Sequence, residues 1–234
     1  MSSRPVCIVT GGSSGIGLET ARRFASEGYD VAVCARNEER LVAVEKELAE
    51  TFSVDVLSQP VDLANSGAAT EFVGAVAQRF NRIDVLVNNA GVAPNCTAEF
   101  FDQETFDLAM SVNVRAVFET VRAVWQPMKH AGRGVIVNVS SLAAVDPFPG
   151  FSVYGGTKAF VETFTLAIAN EGKDDGIRSY CVRPGAVDTP LLKSLFPDFP
   201  ADERLEPASI ANLIFALTGD GMRYSSGEAI TIRK

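Results

Sequence analysis

Tyr154-Gly155-Gly156-Thr157-Lys158 carries the sharpest chemical signal in this 234-residue chain. Residues four apart share a helix face, so the Tyr154 phenol and the Lys158 ammonium project together. A free tyrosine has a pKa of about 10 and is a poor acid or base near neutrality. A nearby cation favours the phenolate and lowers that value. A tyrosine tuned this way can give a proton to a carbonyl oxygen as it becomes an alcohol, or take it back. Alone, the pair also reads as an ordinary contact on an amphipathic helix. Ser141, one loop upstream, changes the odds because its hydroxyl can orient a substrate oxygen; Ser140 beside it could do the same. Asn113 lies in the apolar helical run Met110-Ser111-Val112-Asn113-Val114. A polar amide there needs a partner or a water. It reads as a satisfied core residue or as the holder of a water that passes protons to Lys158.

These groups hang on a repeated strand-then-helix pattern. Apolar, β-branched runs at 6–9, 30–35, 54–59, 83–87, 134–139, 177–182 and 228–232 read as strands. Helical patterns cover 18–25, 38–51, a segment capped by Asn65-Ser66 and ending at Phe80, 152–170 and 207–218. A long helix is expected from about Asp102 to Lys129, interrupted or ended near Pro127. The Pro-rich stretch 184–204 reads as a loop. Such alternation calls for a parallel sheet with helices on both faces, here an α/β doubly wound sheet of about seven strands in a single domain, 1–234. Ligands bind beyond the carboxyl ends of such strands, and there the informative residues fall. Gly11, Ser13, Ser14, Gly15, Ile16 and Gly17 follow strand one, Arg36 strand two, and Asp62 and Leu63 strand three. Asn89, Ala90 and Gly91 follow strand four, Ser141 strand five, and Pro184 and Gly185 strand six. The first turn, G-x-x-x-G-x-G, lets backbone N–H groups approach a ligand and leads into a helix N-terminus, which suits a pyrophosphate.

Composition narrows the function. Hydrophobic residues make up 47% and charged residues 21%, with a net charge of -8. That balance suits a globular protein whose main partner is not a nucleic acid. No apolar run is long enough to span a membrane. The chain enters its first strand almost at once, so no signal peptide is expected. Cys7, Cys34, Cys96 and Cys181 show no C-x-x-C spacing and read as reduced thiols, in keeping with a cytoplasmic protein. His130 is the only histidine. It reads as a residue at a helix C-terminus, favoured by the dipole, so no metal site is expected.

Thr10 to Gly17, Asn88-Asn89-Ala90-Gly91, Asn113, Ser141, Tyr154-x-x-x-Lys158 and Arg183-Pro184-Gly185 resemble the classical short-chain dehydrogenase/reductase family. The match covers nearly the whole chain in order. The resemblance implies a Rossmann-type fold and hydride transfer between a nicotinamide and a carbonyl or alcohol. It also implies that the serine thirteen positions before the tyrosine, Ser141, is catalytic. By the same carry-over Tyr154 is the acid/base, Lys158 lowers its pKa and holds the nicotinamide ribose, and Asn113 sustains the water relay. Asp62 takes the adenine amine, Leu63 the adenine ring face, and Asn89-Ala90-Gly91 the ribose side, while Val187 and Thr189 meet the nicotinamide amide.

The cofactor form has a physical argument. An acid after strand two would hold the 2′-hydroxyl of NAD and repel a 2′-phosphate. Cys34-Ala35 stands there instead, and Arg36 follows with a planar donor suited to phosphate. The expectation is NADP(H), with NAD(H) as the alternative. The last strand is followed by Arg233-Lys234, where the family often has Asp-Gly-Gly. The expected assembly is a homodimer through the helices beginning near Asp102 and Ser152, with a tetramer the alternative. Leu191, Leu192, Leu195, Phe196 and Phe199, in a substrate loop over about 186–206, with Ala93-Pro94 and 145–151 opposite, imply a small apolar carbonyl or alcohol substrate. Two alternatives stand beside this oxidoreductase. A 3-oxoacyl-[acyl-carrier-protein] reductase would need a basic docking patch, which Lys129, Arg133 and Lys173 could supply in part. A non-catalytic dinucleotide-binding sensor or scaffold would have no chemical need for the tyrosine.

Overall fold

The computed structural model describes residues 4–234. Residues 1–3, part of the segment on which the signal-peptide expectation rests, lie outside the described residues. Strands β1 (Val6–Thr10), β2 (Asp30–Ala35), β3 (Val56–Pro60), β4 (Val85–Asn88), β5 (Gly134–Val139), β6 (Ile177–Pro184) and β7 (Ala229–Ile232) form one sheet. Its order is β3-β2-β1-β4-β5-β6-β7, and every neighbouring pair is parallel. Alternate residues of each strand face opposite sides. Val9, Val33, Val87 and Val137 meet α1 (Gly15–Ser26), α2 (Glu38–Phe52) and α8 (Pro207–Thr218) through Phe24, Leu41, Leu48 and Ile214. Ile8, Ala32, Leu86 and Ile136 meet α3 (Ala68–Phe80), α5 (Ala116–Ala131) and α6 (Ser152–Glu171) through Phe72, Val76, Val124 and Ile168. Both faces of the sheet are therefore covered, as the continuous apolar strands require.

Four expectations change. The helix expected over 102–129 is two, α4 (Gln103–Met110) and α5, joined by a π-turn over Ser111–Arg115. Helix α5 runs through Pro127 to Ala131, because Val124 and Met128 are buried beneath its last turns and Gly132 closes it in the left-handed region. That burial outweighs the few kcal/mol a helical proline costs, on the order of 3. Helix α3 is not capped by Asn65 or Ser66. Gly67 holds that position, and its N–H donates to the Glu119 carboxylate of α5 at 3.1 Å. The stretch 184–204 also contains a short helix, α7 (Pro190–Leu195), capped by Thr189 Oγ1, which accepts the Leu192 N–H at 3.2 Å. Strand β3 begins two residues later than expected, after Ser53 turns through φ 56°.

Candidate active site

The sheet order reverses between β1 and β4, and the carboxyl ends of such a pair open a crevice. The turn after β1 lies in that crevice. Gly11 has φ +69°, and a Cβ there would come within 2.9 Å of Asn89 Nδ2. A Cβ on Gly17 would lie 2.3 Å from the Gly11 carbonyl. Thr10 Oγ1 accepts the N–H groups of Asn89 and Ala90, each at 3.1 Å, and Asn89 Nδ2 donates to the Thr10 carbonyl at 3.0 Å. The two turns are thus locked together with only glycine-sized space between them. Ser14 takes the N-cap position of α1 without a side-chain cap bond, leaving the first N–H groups of the helix for a ligand. A Cβ on Gly15 would meet Thr189 Cγ2 at 2.9 Å, so the segment after β6 reaches over the glycine turn. Ser13 and Ile16 are half-buried along the same edge. This glycine-walled cradle at a helix N-terminus fits the pyrophosphate of a dinucleotide.

Farther along the edge, Arg36 is exposed and makes no hydrogen bond or ion pair among the described residues. Asp62 is exposed, and its carboxylate accepts the Ala64 N–H at 3.0 Å. The Leu63 side chain is buried with Val61, Ala69 and Phe72, so its ring-face role is not presented to solvent; what it offers is main chain. On the other flank Pro184 and Val187 are buried and Gly185 is half-buried, while Gly91 is exposed.

The polar groups meet at the ends of β5 and α6. Ser140 is buried, and its hydroxyl donates to Glu162 at 2.8 Å; Arg183 Nε donates to the same carboxylate at 2.7 Å. Ser140 is thereby committed to the frame, whereas Ser141 hydrogen-bonds Tyr154. Burial pushes the Tyr154 phenol above its ordinary value, and the Ser141 bond opposes it. Lys158 is buried, donates from Nζ to the Val139 carbonyl at 2.8 Å, and lies 5.8 Å from the Tyr154 ring centroid. Its ammonium sits over the ring face. Burial brings Lys158 itself down to about 8.

Asn113 is fully buried. Its Oδ1 accepts the Val92 N–H at 2.9 Å, and its Nδ2 donates to the Val92 carbonyl at 2.8 Å and to Thr157 Oγ1 at 3.0 Å. The side chain therefore fastens the segment after β4 to α6. Asn113 sits in the π-turn between α4 and α5, a kind of turn found frequently at functional sites. Glu162 and Thr157 were not singled out from sequence. Their spacing of four and one from Lys158 on α6 was the available signal.

Known proteins match the same frame. The model of the short chain dehydrogenase family matches residues 5–199. The chain belongs to the short-chain dehydrogenase family. It is an oxidoreductase of that family, similar at 35% identity to 2-(R)-hydroxypropyl-CoM dehydrogenase of Xanthobacter autotrophicus, with 97% of this chain and 96% of that protein covered. The 3-oxoacyl-[acyl-carrier-protein] reductase of Chlamydia trachomatis is 30% identical, with 96% and 94% covered. The structure of L-sorbose reductase from Gluconobacter frateurii, complexed with NADPH and L-sorbose, superposes with a TM-score of 0.92 at 31% identity, covering 99% of this chain and 95% of that one.

In this short-chain dehydrogenase the apolar wall is tied to the Tyr154 end of α6. The Phe196 ring, just after α7, stacks on Phe151 at 5.8 Å, and Phe151 meets the Tyr154 ring edge-on at 5.7 Å. Leu191, Val145 and Phe148 are exposed beside them. The proposed basic docking patch lies elsewhere. Lys129 and Arg133 precede β5 and Lys173 precedes β6, at the amino-terminal edge of the sheet. Lys129 is also paired with Asp175 at 2.9 Å. Among the described residues no cluster of three or more potential metal ligands occurs, and no helix is long and apolar enough to cross a membrane.

Proposed function

We propose that the protein is an NADP(H)-dependent oxidoreductase interconverting a carbonyl and an alcohol on a small substrate with an apolar body. The observation that carries this reading is the meeting of Ser141, Tyr154 and Lys158 beside a glycine-walled cradle. When bound, the nicotinamide supplies or accepts the hydride. Ser141 orients the substrate oxygen, and Tyr154, protonated at neutral pH, donates the proton that turns a carbonyl oxygen into a hydroxyl. Lys158 holds the nicotinamide ribose, and the π-turn carbonyl near Asn113 holds the water through which protons return. Gly11, Ser13, Ser14, Gly15, Ile16 and Gly17 cradle the phosphates, Asp62 and the Leu63 main chain the adenine, and Asn89-Ala90-Gly91 the ribose side. Pro184, Gly185, Val187 and Thr189 form the nicotinamide wall, and residues 186–206 the substrate loop of a single domain.

Arg36 selects the phosphorylated cofactor. A charge-assisted contact of this kind contributes about 1.5–3 kcal/mol, so Arg36→Ala should weaken NADPH binding by roughly tenfold or more and NADH binding far less. Fluorescence titration with both cofactors checks this, and equal losses would remove the phosphate role. Turnover of carbonyl substrates with NADPH tests the activity itself.

The assembly is a homodimer. Phe118 on α5 and Phe160 and Leu166 on α6 are exposed, and Phe164 bridges the two rings at 6.4 and 5.5 Å. Exposed aromatic strips of this kind mark protein contacts. Light scattering of Phe118→Asp/Phe160→Asp should give the monomer mass; an unchanged assembly would place the contact elsewhere.

A further inference from the structure

We infer that Arg233 forms the anion-binding end of the substrate cleft, so that the preferred substrate is a carbonyl compound carrying a carboxylate or a similar oxyanion away from the reacting carbon. The inference rests on the oxidoreductase reading above. A cavity of about 540 Å³ is lined by Leu142, Val145, Thr231, Ile232 and Arg233. Leu142 directly follows Ser141, so one wall of the cavity continues from the catalytic serine. The opposite wall is pinned to the segment after β6. Gly185 N–H donates to the Ile232 carbonyl at 2.9 Å, and a Cβ on Gly185 would meet the Arg233 Cβ at 3.2 Å. Lys234 Nζ donates to the Asp202 carbonyl at 2.7 Å, tying the same end to the substrate loop.

Three cations of β6, α7 and the substrate loop are paired with carboxylates. Arg183 is occupied by Glu162, Arg204 by Asp188 at 3.1 Å, and Lys193 by Asp188 at 3.0 Å. Arg233 makes no hydrogen bond or ion pair among the described residues. Thr231 Oγ1 accepts from Arg183 Nη1 at 3.0 Å, which leaves its own hydroxyl proton to donate. An unpaired guanidinium and a free hydroxyl donor beside the apolar side chains of Leu142, Val145 and Ile232 complement a short apolar chain ending in an oxyanion. In a protein of net charge -8 Arg233 is a cation without a hydrogen-bond or ion-pair partner among the described residues.

The test compares levulinate and 5-oxohexanoate with their methyl esters as substrates, using NADPH and the full chain. The acids should show KM values about tenfold or more below those of the esters, the scale of one charge-assisted contact. Arg233→Met should raise KM for the acids about tenfold, leave kcat within about twofold, and leave the esters unchanged; Arg233→Lys should restore part of the difference. Glutarate, which has no ketone, should bind the NADPH-loaded parent and lose affinity in Arg233→Met by a similar factor. Equal KM values for acid and ester, turnover of neutral carbonyls only, or glutarate binding untouched by Arg233→Met would overturn the inference while leaving the oxidoreductase standing. Absence of turnover with every carbonyl compound, neutral aromatic ketones and aldehydes included, would remove the oxidoreductase reading and this inference with it.

Discussion

Changing Tyr154 to Phe is expected to lower kcat by about a thousandfold while leaving NADPH affinity within about twofold of the parent, since a positioned general acid contributes roughly 10²–10⁴. The change deletes one hydroxyl and keeps the ring. The edge-on contact with Phe151 at 5.7 Å survives, so the fold and the apolar wall should be unaltered. What disappears is the proton aimed at the substrate oxygen and the partner of Ser141. Because burial holds the phenol above its ordinary value, it is protonated throughout the neutral range. The reductive reaction therefore begins with a ready acid. Alcohol oxidation needs the phenolate, so its kcat should climb with pH through the alkaline range, opposite in sense to the reduction. Steady-state kinetics in both directions, with cofactor titration of the variant, checks each part. Retained turnover in the Phe variant would take Tyr154 out of the reaction.

The frame was legible because its signals are local. A buried strand shows as an apolar run, a βα turn as glycines followed by helical periodicity, and the repetition of the unit forces the parallel sheet. Convergence of the polar residues on one edge follows from that topology alone. What stayed hidden depends on partners distant in the chain. Asn113 could be a core residue or a water holder from sequence; its partners, the Val92 backbone and Thr157, forty-four residues downstream, could not be read there. The α3 start looked like a serine or asparagine cap, but the acceptor is Glu119, fifty-two residues from Gly67. The π-turn hardly disturbs the apolar period, so the run from Asp102 read as one helix. Ser140 and Ser141 were separable by spacing through the family resemblance. The physical reason for the choice, Ser140 donating to Glu162, required α6 to be laid against β6. Lys129, Arg133 and Lys173 could supply part of a docking patch from sequence; the sheet direction put them at the edge opposite the carboxyl ends of the strands.

Lys158→Met should stabilise the cofactor-free protein at neutral pH even as it abolishes activity. Burial brings Lys158 from 10.5 to about 8, and at 1.36 kcal/mol per pH unit that is a cost of about 3 kcal/mol for keeping the charged amine in place. Methionine fills the same space without the charge. The change also removes the donor to the Val139 carbonyl, which costs on the order of 1 kcal/mol, so the net gain should be ~1–3 kcal/mol. For a chain of this size that raises Tm by ~3–8 °C. The sign with pH follows from the lowered folded-state value. Below about 8 both folded and unfolded lysine are charged and the full cost is present. Between about 8 and 10.5 the unfolded chain holds a proton the folded one lacks, so the stability of the parent rises with pH. The gap between variant and parent should therefore be widest below about pH 8 and close toward pH 10.5. Thermal unfolding of both proteins across that range measures it. A variant no more stable than the parent at pH 7, or a gap that does not change with pH, would mean the buried amine carries no such cost. A gap that closes as described would place the strain at the residue proposed to hold the ribose. A buried cation retained against its own stability cost makes sense at a site that needs the charge for binding and proton transfer.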